Sequence, residues 1–176
     1  MKISLTPELA YLIGLWKARP SFQGLGVGGS EAAQQEFAER VLELKLAPPE
    51  KILSKENNTF FFHTALKNFF KKTVEEELNV FKKRSLKTAA FLAGWFDGCG
   101  GIEAEKKVPF FARASDEDEL LLGRLNFKAI RVGSRVFIIR PKEFFEFVYP
   151  HLRILKEKAG ALRSGNERDP RTHLRS

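Results

Sequence analysis

Apolar positions along this chain fall into blocks of helical period separated by short blocks of strand period. Thr6-Pro7-Glu8 offers an N-cap, a proline at the first helical position and an acid in the first turn. Apolar spacing of three and four then runs to about Arg19, and Pro20 ends the helix. Residues 21–29 are glycine-rich and predict a strand with turns. Ser30 caps a second amphipathic helix to about Leu46, with Phe37, Val41 and Leu44 on one face, and Pro48-Pro49 breaks it. Strands over 51–56 and 59–63 flank Asn57-Asn58, which predicts a two-residue hairpin turn. A further amphipathic helix covers 66–78.

The second half repeats the order. Residues 85–98 predict a helix, and 101–106 and 109–114 predict strands. Ser115-Asp116-Glu117-Asp118 caps a helix through Leu125. Strands over 128–132 and 135–140 flank Gly133-Ser134, and Pro141 starts a helix through about Leu152. Each half therefore reads α-β-β-α-β-β-α, although the second strand of the first half has no clear pattern. Phe60-Phe61-Phe62 answers Phe137-Ile138-Ile139, and Phe69-Phe70 answers Phe144-Phe145. Self-similarity at this period indicates a duplication. The expected fold is α+β with pseudo-twofold halves, 1–80 and 81–160, in one domain, followed by a basic, disordered tail over 161–176.

Two segments align at an offset of 80: Leu12-Ile13-Gly14-Leu15-Trp16-Lys17-Ala18-Arg19-Pro20 and Leu92-Ala93-Gly94-Trp95-Phe96-Asp97-Gly98-Cys99-Gly100. Small residues stand at Ala10, Gly14 and Ala18, and again at Ala90, Gly94 and Gly98. A spacing of four puts each set on one helical face, which lets two backbones approach closely. The two first helices should therefore pack on each other through these six positions.

These segments resemble the paired helices of the LAGLIDADG homing endonucleases, two-repeat single-chain type. Phe91-Leu92-Ala93-Gly94-Trp95-Phe96-Asp97-Gly98 is the closer match, and Tyr11-Leu12-Ile13-Gly14-Leu15-Trp16 the weaker one. The resemblance spans about residues 4 to 155. It implies two αββαββα halves around the helix pair, with a saddle of sheets lying on DNA. It also implies an acid before the last glycine of each motif, holding a divalent metal over the scissile phosphates. Here those positions are Arg19 and Cys99, a fixed cation and a soft thiol, and the first motif's last glycine is Pro20. The expectation is a nucleic-acid-binding protein, double-stranded DNA before RNA, with degenerate catalytic acids, no cleavage activity and no cofactor or metal. Alternatives are a scaffold or protein-interaction domain, and a residual metal-dependent endonuclease or RNA maturase. Asp97 points about 200° away from Cys99 around its helix and is expected to meet Lys17, its counterpart. Glu103 and Glu105 lie on the strand that follows.

Composition fits this picture. Hydrophobic residues at 43% exclude a wholly disordered chain. No apolar run approaches the roughly 18 residues of a membrane span, and the first residues lack the apolar stretch of a signal peptide. The single Cys99 excludes an intrachain disulfide, and a cytoplasmic monomer is expected. The net charge is +8, of which residues 151–176 carry half, with seven Lys/Arg against three Asp/Glu. Charged residues at 30% with one Met also suit a heat-adapted surface. Candidate nucleic-acid contacts are Arg19 and the residues on or beside strands: Lys51, Lys55, Arg113, Lys128, Arg131, Arg135 and Arg140. Strand alternation turns about half of them away from any one face. Gly24-Leu25-Gly26-Val27-Gly28-Gly29 lacks the Gly-Lys-Ser/Thr of a phosphate loop. His63, His151 and His173 have no metal-ligand spacing, and the sequence offers no evident base-stacking platform.

Overall fold

Two helices with apolar residues on almost every side form the centre of the molecule. In this computed structural model, which describes residues 2–163, α1 (Pro7–Ala18) starts at Thr6, whose hydroxyl accepts the Leu9 N–H at 3.2 Å. The equivalent helix of the second half, Leu86–Cys99, starts at Ser85, whose hydroxyl accepts the Thr88 N–H at 3.2 Å. They run parallel in direct backbone contact. A Cβ added to Gly14 would lie 2.1 Å from the Phe91 carbonyl oxygen, and one added to Gly94 would lie 2.0 Å from that of Tyr11. Gly98 faces Ala18 in the same way, 2.4 Å from its Cβ. The offset of 80 survives in the contacts, since 14 meets 91 and 95 while 94 meets 11 and 15. Ala10 and Ala90 are buried along the same seam.

After α1 the first half continues with β1 (Leu25–Gly28), α2 (Glu31–Glu43), a 3-10 turn (Pro49–Lys51), β2 (Leu53–Lys55), β3 (Asn58–Phe61), α3 (Thr64–Glu75) and α4 (Glu77–Val80). The second half, after α5 (Leu86–Cys99), has β4 (Gly100–Ile102), β5 (Pro109–Phe111), α6 (Asp116–Arg124), β6 (Ala129–Val132), β7 (Arg135–Ile138), α7 (Pro141–Val148), a 3-10 turn (Tyr149–His151) and α8 (Lys156–Arg163). Both sheets are antiparallel, in the orders β1-β3-β2 and β4-β5-β7-β6. Their connectivity matches if β1 corresponds to β5. The element missing from half one is thus its first strand, not the expected second. It is reduced to an isolated bridge between Pro20 and Val27, because Pro20 has no N–H to donate to a ladder. In half two, α5 runs straight into β4 at Gly100.

Three boundaries differ from the sequence pattern for local reasons. The first hairpin turns at Glu56-Asn57, one residue early, with Lys55 opposite Asn58 and φ of 50° and 63° at the two central residues. Pro150 stops α7 at Val148, and the chain tightens into a 3-10 turn. Helix α8 runs past Gly160, where a tail was expected to begin, because Ala159 is buried against the core. The rest of that tail, 164–176, lies outside the described residues. The second hairpin turns at Gly133-Ser134 as the sequence indicates, with Val132 opposite Arg135 and Gly133 at φ 64°. No helix among the described residues is long and apolar enough to cross a membrane.

Candidate nucleic-acid interface

Helices cover one face of each sheet. In half one, Phe61 packs on Phe37 of α2 at 6.2 Å, and the Thr59 hydroxyl donates to Gln34 Oε1 at 3.1 Å. In half two, Phe111 stacks on Trp95 of α5 at 3.9 Å. Strand alternation then sends the intervening residues to the opposite, uncovered face. Ladder register lines them up as Gly26, Phe60 and Leu53 across the first sheet. Across the second sheet the row is Gly101, Phe110, Phe137 and Ile130. Edge strand β4 begins where α5 ends, and the isolated Pro20–Val27 bridge follows α1, so each helix foot adjoins one edge of its own sheet.

The candidate cations separate into groups. Arg19 ends α1, is exposed, and lays its guanidinium against Gly29, whose φ is +89°. A Cβ there would lie 2.5 Å from Arg19 Nη1, so glycine leaves room for the side chain. Among the described residues Arg19 has no carboxylate partner. Lys55 ends β2 two positions from Leu53, on the open side, and Arg135 sits over the Phe110 ring with Cζ at 4.3 Å. Lys128 precedes β6 and is exposed, as is Arg113 at φ 54° just after β5, and Arg140 stands exposed at the start of α7. Lys51 is exposed in the 3-10 turn just before β2. One residue departs from the expected set. Arg131 stands opposite Val136, on the helix-covered side, where its guanidinium pairs with Asp116 and donates to the Gly133 carbonyl. That orientation withdraws it from the open face.

Neither helix ends in an acid: the residues there are Arg19 and Cys99. Cys99 is partly buried, donates its thiol to the Trp95 carbonyl at 3.5 Å, and has its pKa pushed up to about 12, chiefly by burial. A protonated thiol and a guanidinium are not the hard oxygen donors that Mg²⁺ or Ca²⁺ takes, so the residues at these positions do not fit such an ion. Glu103 is tied into the β4–β5 turn, where its carboxylate accepts the Lys106 N–H at 3.0 Å. Among the described residues no three His, Cys, Asp or Glu side chains gather closely enough to hold a metal.

Asp97 and Lys17 do not meet, contrary to expectation. The pseudo-twofold sends them to opposite flanks of the helix pair. Asp97 is buried and accepts the Tyr11 hydroxyl at 2.7 Å and the N–H groups of Arg153 and Leu155 at 2.7 and 2.9 Å. Burial raises its pKa, against the lowering effect of those N–H groups, and burial beside Asp97 drives the Tyr11 hydroxyl far above its ordinary value. Lys17 instead donates to two buried carboxylates, Glu77 and Asp118, with its Nζ 4.2 Å from the Trp95 ring centroid. Asp118 also closes a capping box with Ser115 at the start of α6.

Sequence reasoning missed the open-face aromatics Phe22, Phe62, Phe110 and Phe137. The signal was present in Phe60-Phe61-Phe62, because three consecutive strand residues cannot all point to one core.

Two duplicated α+β halves joined through a glycine-packed parallel helix pair have the fold of the two-repeat, single-chain LAGLIDADG homing endonucleases. The solved structures that match are of the homing endonuclease I-DmoI. One, from a study of its mesophilic variants, gives a TM-score of 0.59 at 14% identity over 88% of this chain and 99% of that one. A second, of I-DmoI in complex with DNA and Ca, gives 0.57 at 14% identity over 93% and 100%. A third, of a variant with its target DNA in the presence of Mg, gives 0.56 at 15% identity over 81% and 94%. Neither a family model nor a curated protein matches the chain.

Proposed function

We propose that this chain binds nucleic acid along the open faces of its two sheets, as one unit of two halves, and does not cleave it with a divalent metal. The observation that carries this reading is the charge at the helix feet. Two helix C-termini converge there, each with a partial negative charge. The side chains supplied are an exposed guanidinium at Arg19, with no carboxylate partner among the described residues, and a neutral thiol at Cys99. A guanidinium at that place attracts a phosphate directly, without an intervening cation. The DNA-bound state of I-DmoI, which has the same fold, supports nucleic acid as the partner.

The test is binding by the purified chain to labelled DNA and to structured RNA across a salt series. Each phosphate neutralised releases counterions, so the log–log slope should be about −0.9 per contact on duplex DNA and about −0.7 on a single strand. Arg19→Gln should make that slope shallower by about one contact and weaken all sequences alike. Incubation with diverse DNA and Mg²⁺ or Mn²⁺ should give no protein-dependent cuts. No binding to either polymer at low salt would refute the binding reading, and protein-dependent double-strand cuts would refute the non-cleaving one.

A further inference from the structure

The central row of each open face is apolar, with cations and Asn58 in the rows beside it. Base edges in a major groove are read by hydrogen-bonding side chains. The rows across the two sheets instead present Gly26, Phe60 and Leu53, and Gly101, Phe110, Phe137 and Ile130. The aromatic character is concentrated and partly solvent-facing. Phe60 is 1% exposed because Phe22 and Phe62 lie over it in edge-type contacts at 5.8 and 5.7 Å, and those two rings are themselves 53% and 68% exposed. Leu53 beside them is 42% exposed. Gly24, at φ +63°, and Gly26 leave the adjacent strand without side chains where Phe60 lies, so the rings are not walled in. In the second half, the Arg135 guanidinium covers the Phe110 ring at 4.3 Å, and Phe137 is 5.7 Å from Phe110.

Exposed rings in a cluster mark a binding surface, and the cations beside them select its occupant. Lys55 and Arg135 each stand on the open side of their own sheet, and Arg19, exposed against Gly29, has no carboxylate partner among the described residues. Aromatic faces interleaved with cations suit a polymer with flat apolar bases and an anionic backbone whose bases are free to stack. Resting on the nucleic-acid reading above, we infer that the open face takes an unpaired strand. Bases stack on Phe22 and Phe62 in the first half and on the Phe110–Arg135 pair in the second, and phosphates pass near Lys55 and Arg19. Stacking tolerates any base, so the preference is for unpaired structure over sequence.

Fluorescence anisotropy with the full chain tests this, using a labelled oligo(dT) of about 20 nucleotides, a site-sized probe, against a mixed-sequence duplex of the same length. The single strand should bind at least about tenfold tighter. Phe22→Ala and Phe62→Ala should each weaken the single strand by about five- to a hundredfold and change duplex binding by less than about twofold. Phe62→Leu should not restore binding, whereas Phe62→Trp should, with its indole fluorescence quenched when the oligonucleotide is added. Both rings are largely exposed, so the variants should melt with the parent, and that is measured in parallel. If the duplex binds as well as the single strand, or the ring variants leave the single strand unaffected, the inference is overturned while the nucleic-acid reading stands. If neither binds, both fail. If the ring variants alter only self-association in sedimentation, the face is a protein interface and the inference is again overturned.

Discussion

Gly94→Ala tests the centre of the fold with the smallest change available. The added methyl would sit 2.0 Å from the Tyr11 carbonyl oxygen, 2.9 Å from its carbon and 3.0 Å from the Leu15 nitrogen. Carbon–oxygen contact distance is about 3.3 Å, so α1 and α5 must part by roughly 1 Å. All three obstructing atoms are backbone, so no rotamer change relieves the clash. A gap of about 1 Å forfeits up to half of each dispersion contact along the seam, and overpacking a core costs about 1–3 kcal/mol. Taking the upper end, because backbone cannot yield, and subtracting the gain of about 1 kcal/mol when alanine replaces glycine in a helix, the net loss is about 2 kcal/mol. For a domain of this size that lowers Tm by about 4–8 °C. Gly123, also helical but with nothing within 4 Å of its would-be Cβ, is the internal control. Gly123→Ala should raise Tm by about 1–4 °C from propensity alone. Calorimetry or thermal circular dichroism on both variants is sufficient. If Gly94→Ala melts at or above the parent, the helices do not pack through backbone contact and the reasoning is refuted. A Gly14→Ala, Gly94→Ala double variant should lose less than the sum, since the first methyl already separates the pair.

Two other predictions concern the buried charges on the flanks of that pair. Burial raises the Glu77 pKa to about 7, although Lys17 pulls it down. The folded chain therefore keeps a proton there between its unfolded value near 4.5 and about 7, where the unfolded chain has lost it. Stability from this group falls as pH rises through that window, by at most about 3 kcal/mol. Urea titrations of the parent and Glu77→Gln from pH 4.5 to 8 should show the variant with the flatter profile, and a variant as steep as the parent would contradict the assignment. Asp97→Asn keeps the shape but turns two N–H donors toward groups that are themselves donors. With charged hydrogen bonds worth about 1.5–3 kcal/mol each, it should cost about 3 kcal/mol by chemical denaturation, and Tyr11→Phe, which removes one donor, should cost less.

What sequence could show here depended on how far apart the partners are. The small-residue ladder was legible because each helix carries its own half of the pattern, at a spacing that local periodicity exposes. The duplication was legible for the same reason, from Phe60-Phe61-Phe62 against Phe137-Ile138-Ile139 and from the two capped helix starts. Asp97 was not legible. Its partners lie 86, 56 and 58 residues away, and two are main-chain N–H groups that carry no residue signature. Arg131 and Arg135 look alike in sequence, yet register puts one against Asp116 and the other over Phe110. Only the count of residues in the Gly133-Ser134 turn fixes which faces out. The open-face rings were not legible because phenylalanine is core by default, which holds for Phe61, 1% exposed, and fails for Phe62, 68% exposed.

The Lys17 and Asp97 positions separate what the helix pair needs for folding from what it offers a ligand. Both side chains leave the pair at equivalent points and tie it to the far end of their own half. Asp97 accepts N–H groups at 153 and 155, and Lys17 donates to Glu77. Charge is inverted between the halves, and the neighbours invert with it. Tyr11 donates a hydroxyl to Asp97, whereas its equivalent Phe91 turns a ring toward Lys17 at 5.5 Å, attractive to a cation. A second carboxylate, Asp118, completes the cationic version from α6. The same slot is thus filled twice by opposite chemistry, and each version is satisfied, as a buried charge must be. Two residues on, among the described residues, Arg19 has no such compensation. Its exposed guanidinium lies against Gly29 with no carboxylate of the described chain to neutralise it. On the proposed reading, the charge at 19, unlike the satisfied ones at 17 and 97, has no carboxylate among the described residues and is the place for an anion from outside.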